Sequence, residues 1–498
     1  MATKDTQILD PTPEIDIPTI KNRSIKGVVA LTSRYFVLYA MALVAQVFLG
    51  IYLSPVEWGI FALVSALVDF LVYFSDVGLA ASLIQSKDEI SDNDLKTTFT
   101  VQMTLVLSLL FLLFVFSNRI SAGFSLSSDG VVLMYMLGFS LFLSSLRTIP
   151  TVLLERKIEF HKIAFVNIVE SIFYYTILVV SAWKGLGIKS FTFAVGARGV
   201  VGLFAMYSVS PWIPKIGISL GSLKKLLGFG VPYQVNTLIA LAKDRGTTLI
   251  LGKVLGLEVL GILDWAQKWS QLPLRVILDS VTKVTFPAFS RLQNEKKHLP
   301  RTVTRSIFFI TLLTFPAIVG LVLVAPMLVR IIPQYEKWIP AMVPLALFSL
   351  NTFFASFTTQ LTNLLNAIGK IKYTFYLMVM WTILTLTLVP YLGIHYGTNG
   401  AAFGFALVSA SSVVAVYISK KFVNFSVQDS ILKPLYAATF MGIVLFIVRS
   451  VLPLNTFGVS ILIILGVVVY SVAIVTIIGK SLFEDAKKAF NSFFMGNK

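Results

Sequence analysis

Residues 99–117, FTVQMTLVLSLLFLLFVFS, carry no charge and are mostly apolar. A run of this length matches the roughly 20 apolar residues with which an α-helix crosses the hydrocarbon core of a membrane. In a soluble domain, a helix that is apolar on every side would have to be covered by protein all round. The stretch therefore predicts a transmembrane helix.

The composition of the whole chain agrees with this prediction. Of 498 residues, 56% are hydrophobic and only 13% are charged, and the mean hydropathy is +0.83. Soluble domains carry about 25% charged residues, so this chain lacks the polar surface of a soluble enzyme. It has no cysteine, and its three histidines lie too far apart in sequence to pair as zinc ligands. We therefore expect no metal site and no cofactor.

Similar apolar runs recur along the chain and predict fourteen spans, which makes it an all-α polytopic membrane protein. The predicted spans cover approximately residues 28–53, 58–84, 99–117, 131–154, 163–183, 189–210, 224–252, 257–286, 304–331, 339–366, 372–394, 398–419, 433–452 and 456–479.

Basic residues are distributed unevenly between the two sides of these spans. With the amino terminus inside, cytoplasmic segments hold 26 of the 41 Lys and Arg residues and the opposite side holds 7. The positive-inside rule describes this bias, which accounts for the net charge of +17 without nucleic acid as a partner. Both termini are therefore predicted to be cytoplasmic.

Two pairs of segments indicate an internal repeat. Residues 54–61 (SPVEWGIF) resemble residues 256–263 (GLEVLGIL), with Gly59 aligned to Gly261, and residues 153–160 resemble residues 364–373 with a two-residue slip. Chance similarity between apolar segments is the alternative. A six-helix unit repeats in the same orientation, so we predict two six-helix lobes followed by two C-terminal helices. The predicted domains are a disordered cytoplasmic tail at 1–22, an N-lobe at 23–211, a C-lobe at 212–422, and the last two spans with a cytoplasmic tail at 423–498.

Fourteen charged residues lie inside the predicted spans. A charge that faces lipid at a helix centre costs roughly 2.5–3.5 kcal/mol, so these side chains are expected to face one another or water. Basic residues exceed acids among them, which favours an anionic or phosphate-bearing substrate. The basic residues that could contact such a substrate are Arg275, Lys268, Arg147, Arg245, Lys243, Arg34, Arg198 and Lys283. The acids among the fourteen are Asp69, Asp76, Asp279, Asp264, Asp244 and Glu170.

The eighth span carries the most regular polar pattern. Six polar residues follow one another at steps of three or four and therefore share one helical face: Asp264, Lys268, Gln271, Arg275, Asp279 and Lys283. That face is either the wall of a hydrated cavity or an internal ladder of ion pairs, Asp264–Lys268 and Arg275–Asp279, that joins helices.

The other intramembrane charges are less regular. Asp69 and Asp76 share one face of the second span. In the seventh span, Lys243 and Arg245 point about 100° from the residue between them, and Asp244 either neutralises one of them or acts separately. Arg34 and Arg198 stand alone, and they either snorkel to the interface or bind substrate.

Known catalytic motifs are scarce. The stretch Asp92-Asn93-Asp94 resembles the DxD metal site of sugar-nucleotide transferases, but Ser91 and Asp94 directly precede an apolar helix, where capping explains them. The sequence holds no Walker A, GxSxG or HExxH motif. Transport driven by an ion gradient or a substrate gradient is therefore expected rather than ATP hydrolysis by this chain.

Three motifs resemble those of a known transporter family. They are Asp76-Val-Gly-Leu-Ala-Ala-Ser-Leu-Ile-Gln85, Leu251-Gly-Lys-Val-Leu-Gly-Leu-Glu-Val-Leu-Gly261 and Phe286-Pro-Ala-Phe-Ser-Arg-Leu-Gln293. They are similar to motifs of the Wzx-type polysaccharide flippases in the multidrug/oligosaccharidyl-lipid/polysaccharide exporter superfamily, and closest to the colanic-acid and teichuronic-acid exporter branch. The resemblance covers residues from about 22 to 480.

The resemblance implies a function and a MATE-like fold of two lobes. Such proteins move a polyprenyl-pyrophosphate-linked oligosaccharide from the cytoplasmic to the outer leaflet of the bacterial cytoplasmic membrane by alternating access, for surface polysaccharide biosynthesis. The implied partners are this lipid, bilayer lipid, a coupling H⁺ or Na⁺ and the polysaccharide polymerase machinery. The basic residues would neutralise pyrophosphate, and the acids would couple an ion or hold the basic residues in place.

Three alternatives stay open at this point. An ion-coupled multidrug exporter and a peptidoglycan-precursor flippase belong to the same superfamily. A membrane glycosyltransferase, ligase or polymerase is a different class, and it would need a large outer loop or a metal–phosphate site, neither of which is visible in the sequence.

Overall fold

The computed structural model describes residue 34 and residues 37–86, 89–295 and 297–478, apart from the side chains at 232, 233, 235–237, 279, 280, 283, 284 and 478. Across these residues the secondary structure is helical and contains no strand, as predicted. The helices are α1 (Val37–Tyr52), α2 (Pro55–Asp76), α3 (Leu79–Gln85), α4 (Asp92–Phe124), α5 (Ser128–Leu146), α6 (Thr148–Arg156), α7 (Phe160–Trp183), α8 (Lys189–Val209), α9 (Leu220–Leu255), α10 (Leu257–Arg291), α11 (His298–Ile331), α12 (Met342–Ala367), α13 (Ile371–Ala410), α14 (Val413–Phe422), α15 (Lys433–Arg449) and α16 (Thr456–Ile478). A short 3₁₀ helix (Glu336–Ala341) precedes α12, and a π turn (Gln428–Leu432) precedes α15.

Ten helical segments among the described residues are long and apolar enough to cross a membrane. Three predicted spans fall outside that group: α1 is described only over Val37–Tyr52, and α9 and α10 are interrupted by charges. Residues 371–422 form one continuous apolar segment, although Gly397 (φ 63°, ψ −145°) breaks the helix between the predicted spans 372–394 and 398–419. The total of fourteen spans therefore stays a prediction.

Two predicted spans are broken helices, which corrects the sequence analysis. The second span, expected as one helix at 58–84, divides into α2 and α3 because Val77 and Gly78 both take left-handed backbone angles (φ 49° and 77°). The fourth span, expected at 131–154, divides into α5 and α6 at Arg147 (φ −97°, ψ 1°).

The ends of the seven-residue helix α3 are both satisfied by charged side chains. The Asp76 carboxylate accepts the Ala80 N–H at 3.2 Å, and Arg156 donates to the carbonyl oxygens of Leu83 (2.7 Å) and Ser86 (2.8 Å). These bonds satisfy backbone groups that a helix leaves unpaired at its ends. The Arg156 side chain is itself buried.

Sequence signals fix the starts of two long helices. Ser54 and Glu57 form a capping box at the start of α2, with Pro55 in the first turn, and Ser91 and Asp94 form a second box at the start of α4. The Glu57 carboxylate accepts the Ser54 N–H at 2.7 Å. The capping role predicted for Ser91 and Asp94 is confirmed.

The chain divides into two compact units, Met1–Gly261 and Ile262–Lys498, with the division inside α10. In the first unit, α8 packs between α5 and α7, and α9 packs on α2, α3 and α4. In the second unit, α11 packs against α12, α15 and α16 around a large apolar core. The lobes predicted at 23–211 and 212–422 rest on the sequence repeat, whereas the two compact units rest on packing. The predicted lobes are therefore not tested by this division and stay a prediction.

Candidate functional site

The first charged cluster joins three helices of the first unit. Glu170 on α7 pairs with Arg147, at the break between α5 and α6, and its other oxygen lies 3.5 Å from Nε of Arg198 on α8. The Glu170 side chain is 1% exposed, whereas that of Arg198 is 52% exposed. The cluster is therefore a buried carboxylate that holds two guanidinium groups and carries a net charge of +1.

The surrounding chain makes room for this cluster. Gly202 lies beside it, and a Cβ at that position would fall 2.6 Å from Nη1 of Arg147 and 2.7 Å from Cδ of Glu170. The break that carries Arg147 is held by a hydrogen bond from the Tyr207 hydroxyl to the Leu146 carbonyl oxygen at 2.9 Å. The three charged residues were predicted from the sequence, whereas their pairing and the role of Gly202 were not.

Arg198 does not lie on the lipid-facing side of α8. Phe193, Val200 and Phe204 are 51%, 40% and 72% exposed, and their spacing places them in one apolar stripe. At 100° per residue, Arg198 lies about 140° from the centre of that stripe. The Arg198 guanidinium also lies over the Tyr174 ring, at 5.7 Å from its centroid. The exposed part of Arg198 is thus presented away from the surface that contacts lipid.

The second cluster joins α2 and α9 in the same unit. Arg245 contacts Asp69 at 2.7 Å, and Lys243 contacts its neighbour Asp244 at 3.1 Å. Both members of the Asp69–Arg245 pair are partly exposed, at 38% and 45%. Asp244 therefore neutralises Lys243, and Arg245 takes its partner from another helix.

Further toward the C-terminal end of α2, this helix forms polar contacts with α9, and the break that follows α2 brings its backbone against the backbone of α9. Tyr73 and Gln234 exchange side-chain-to-backbone hydrogen bonds, with the Tyr73 hydroxyl donating to the Gln234 carbonyl oxygen. At the break that follows α2, a Cβ on Gly78 would lie 2.7 Å from Cα of Gly230. Gly78 is therefore required both by its left-handed backbone and by this close approach. Asp76, predicted as a coupling acid, lies at the same break as the cap of α3.

A third polar group lies on α10 in the second unit. Lys268 contacts Asp264 at 2.6 Å, which is the first pair of the ladder considered above, and exposed Arg275 donates to Gln271 at 2.8 Å. The face opposite to these residues is buried and includes Ile262 and Ala266. The helix is therefore amphipathic, as the spacing predicted.

The remaining predicted residues add little to these groups. The side chains of Asp279 and Lys283 lie outside the described part of the structure, so the second predicted pair of the ladder stays a prediction. Arg34 is half-buried near the first described residues.

An unpredicted contact joins the starts of α2 and α10, within the first unit. A Cβ on Gly59 would collide with the Leu257 carbonyl group, and a Cβ on Gly261 would collide with the Pro55 carbonyl group. The predicted repeat, with its offset of 202 residues, relates Pro55 to Leu257 and Gly59 to Gly261. The two contacts are therefore equivalent under the repeat, as a local two-fold axis requires. The alignment of Gly59 with Gly261 was the sequence signal for this contact, but alignment alone does not show that equivalent residues touch.

The residues that resembled a metal site have other partners. Asp94 is occupied in the cap of α4, and Asp92 pairs with Lys96 and, at 3.1 Å, with Lys215. Within the described part of the chain, no group of three or more His, Asp or Glu residues is placed to hold a metal ion.

We expect the double variant Asp92→Ala/Asp94→Ala to keep its transport activity. Loss of a helix cap costs about 1 kcal/mol, and an exposed ion pair contributes up to about 1 kcal/mol, so the variant should insert normally and unfold at a slightly lower temperature. Membrane fractionation, thermal unfolding and surface polysaccharide are the measurements. Normal insertion with lost sugar transfer would instead support the glycosyltransferase alternative.

Comparison with known proteins places these observations in a family. The model of a family described as polysaccharide biosynthesis protein matches residues 49–343, which is more than half of the chain. The chain belongs to this family. The resemblance found in the sequence is thereby confirmed.

Relatives of the chain point to the same process. It is 23% identical over 401 residues to the lipopolysaccharide biosynthesis protein WzxC of Escherichia coli K12, covering 80% of this chain and 81% of that protein. It is also 23% identical over 386 residues to the teichuronic acid biosynthesis protein TuaB of Bacillus subtilis, covering 74% and 77%.

Solved structures identify the fold of this family member. The lipid II flippase MurJ in an inward closed conformation has a TM-score of 0.75 and 16% identity, covering 92% of this chain and 99% of that chain. An inward-facing multidrug resistance MATE family transporter has a TM-score of 0.60 and 13% identity, covering 79% and 97%. The polypeptide is thus a multi-pass helical membrane protein with a MATE-like fold.

Proposed function

We propose that this protein translocates a polyprenyl-pyrophosphate-linked oligosaccharide repeat unit across the cytoplasmic membrane, as a flippase for cell-surface polysaccharide biosynthesis. The observation that carries the proposal is the cluster around Glu170, because it keeps a half-exposed arginine away from the lipid-facing surface. Isolated intramembrane charges are costly and are retained where they serve a pathway. A guanidinium in that position suits phosphate or pyrophosphate, and membership of the polysaccharide biosynthesis family supports a phosphate-bearing lipid of that process as the cargo.

The proposed head-group residues fall into three groups. Arg147 and Arg198 form one, Lys243 and Arg245 the second, and Lys268 and Arg275 the third, with Arg34 and Lys283 as further candidates. Glu170, Asp244 and Asp264 balance these charges in the contacts described above. Asp69, Asp76 and Asp279 are proposed to balance charge or to couple transport to H⁺ or Na⁺.

Transport is proposed to follow alternating access between two six-helix lobes, 23–211 and 212–422, with residues 423–498 appended and both termini cytoplasmic. In this orientation the starts of α2 and α10 lie on the outer side of the membrane. The direct backbone contact at Gly59 and Gly261 then closes the outer side. The polyprenyl tail stays in bilayer lipid, and the polymerase machinery receives the product.

Deletion of the gene in its own host, followed by mass spectrometry of polyprenyl lipids, tests this function. We expect a pyrophosphate-linked oligosaccharide to accumulate and its mass to identify the repeat unit. Normal surface polysaccharide with raised drug sensitivity would support a multidrug exporter, and accumulation of peptidoglycan precursor would support that class of flippase. Accumulation of an incomplete oligosaccharide would support a glycosyltransferase.

Single-cysteine labelling tests whether the polar face of α10 meets water, because the natural chain has no cysteine. We expect Arg275→Cys to react with a membrane-impermeant thiol reagent at least tenfold faster than Leu274→Cys, whose position on the same helix is 6% exposed. Arg275 is exposed and donates only along its own helix in the contacts described. Equal protection of both cysteines would contradict a hydrated role for this face.

A further inference from the structure

Residues 211–219, which connect α8 to α9 without helix or strand, form a segment that we call the strap. The strap lies across the first turns of α4. The N–H groups of Gly217 and Ser219 donate to the hydroxyls of Thr100 (3.0 Å) and Thr97 (2.9 Å), and the buried Trp212 ring meets Phe99 with 5.3 Å between centroids. The strap is thus fastened to a helix rather than free in solvent.

The outer side of the strap is apolar, which is unusual for a connecting segment. Ile213, Ile216 and Ile218 are 79%, 85% and 63% exposed, and Leu220, the first residue of α9, is 80% exposed. Segments that run over a protein surface in water are usually polar. A row of bare aliphatic side chains on a fastened segment indicates an apolar environment around it.

The position of the strap along α4 identifies that environment. Further along the same helix, Leu107, Phe111 and Phe114 are 52%, 66% and 66% exposed and form its lipid-facing surface. At 1.5 Å per residue, Leu107 lies about 10 Å beyond Thr100. In the opposite direction, the first turns of α4 carry the charged residues Asp92 and Lys96. The strap therefore crosses α4 at the level where a lipid-facing surface gives way to charge.

The backbone and the charges of the strap suit this level. Pro211 and Pro214 have no N–H group, and the hydroxyls of Thr97 and Thr100 satisfy two of the other donors. The other five N–H groups of the strap have no partner in the contacts described, so water or head-group oxygens are needed to satisfy them, which the head-group boundary supplies and the acyl core does not. Lys96 and Lys215 share the single carboxylate of Asp92, so these three side chains beside the strap carry a net positive charge.

We propose that the strap is embedded in the bilayer at the boundary between head groups and acyl chains, with anionic phospholipid as its partner. Ile213, Ile216 and Ile218 enter the acyl region, while Lys96 and Lys215 face the phosphates. In the predicted orientation this is the cytoplasmic leaflet. The inference does not depend on which molecule the protein transports.

Fluorescence quenching in reconstituted vesicles of phosphatidylcholine and phosphatidylglycerol tests the proposal. Ile213→Cys, Ile216→Cys and Ile218→Cys are each labelled with an environment-sensitive fluorophore. Phe111→Cys on α4 serves as the acyl-chain control, and Lys184→Cys, in the exposed connection between α7 and α8, serves as the aqueous control. Only variants whose thermal unfolding matches that of the natural protein are compared, and the three positions provide replicates.

We expect the strap labels to be quenched by lipids that carry a nitroxide near the head group at least threefold more than the Lys184→Cys label. Iodide in the water phase should quench them at least threefold less than that label. Spectra and iodide quenching equal to those of Lys184→Cys would overturn the proposal. Protection from both quenchers would overturn it as well, because it would place protein rather than lipid over the strap.

Discussion

Replacing Gly59 by alanine is expected to lower polysaccharide export by about fivefold or more. The added Cβ would occupy the space of the Leu257 carbonyl group, and backbone atoms cannot be moved aside by a rotamer change. Overpacking a close contact costs about 1–3 kcal/mol. Because 1.4 kcal/mol is tenfold in an equilibrium constant, the closed contact between α2 and α10 would be depopulated. The measurement is surface polysaccharide at matched protein levels.

Two matched variants show whether the effect belongs to this contact. Gly228→Ala adds the same methyl group to α9, where nothing lies within 4 Å, and it should export normally. Gly261→Ala should match Gly59→Ala, and the double variant should be little worse than either, because both changes disrupt one contact. Export by Gly59→Ala equal to that by Gly228→Ala would refute closure at this point.

Replacing Glu170 by glutamine is expected to destabilise the protein strongly and to abolish export. Glutamine keeps the shape of the Glu170 side chain, which is 1% exposed, but it removes the negative charge that pairs with Arg147. Removing one partner of a buried pair costs about 3–5 kcal/mol. Thermal unfolding of purified protein in detergent measures the loss, with export measured in cells.

The control for this prediction is an exposed ion pair in the same unit. Asp129 and Lys189 lie 3.6 Å apart and are 39% and 52% exposed, so Asp129→Asn should change stability by less than about 1 kcal/mol. A second variant, Arg147→Gln combined with Glu170→Gln, should regain part of the lost stability, because it removes the uncompensated charge. Equal unfolding temperatures for Glu170→Gln and Asp129→Asn would show that the cluster around Glu170 does not hold the three helices together.

The helical membrane fold was predictable because its signals are local. Apolar runs such as residues 99–117 mark spans, and the Ser-Pro-x-Glu sequence at 54–57 marks a helix start wherever it occurs. The pair Asp264–Lys268 was predictable for the same reason, since residues four apart on a helix are neighbours. Arg275 donates to Gln271, one turn earlier on the same helix, and its pairing with Asp279 stays a prediction.

The breaks and the clusters were not predictable because they depend on distant residues. The left-handed angles at Val77 and Gly78 are accommodated beside Gly230, more than 150 residues away in sequence. The sequence allows Asp244 to neutralise either Lys243 or Arg245, whereas in the structure it pairs with Lys243 and the partner of Arg245 is Asp69 on another helix. One sequence without an alignment does not show which of many possible charge pairs forms.

The side of the membrane on which the lipid-linked oligosaccharide accumulates tests the central claim most directly. When the protein is depleted in its own host, the accumulated lipid can be probed in spheroplasts with a membrane-impermeant glycosidase matched to the repeat unit. We predict that the oligosaccharide is protected in depleted cells and cleaved after the membrane is permeabilised, because the lipid cannot leave the cytoplasmic leaflet. Cleavage in intact depleted spheroplasts would place the defect after translocation and would contradict the flippase function.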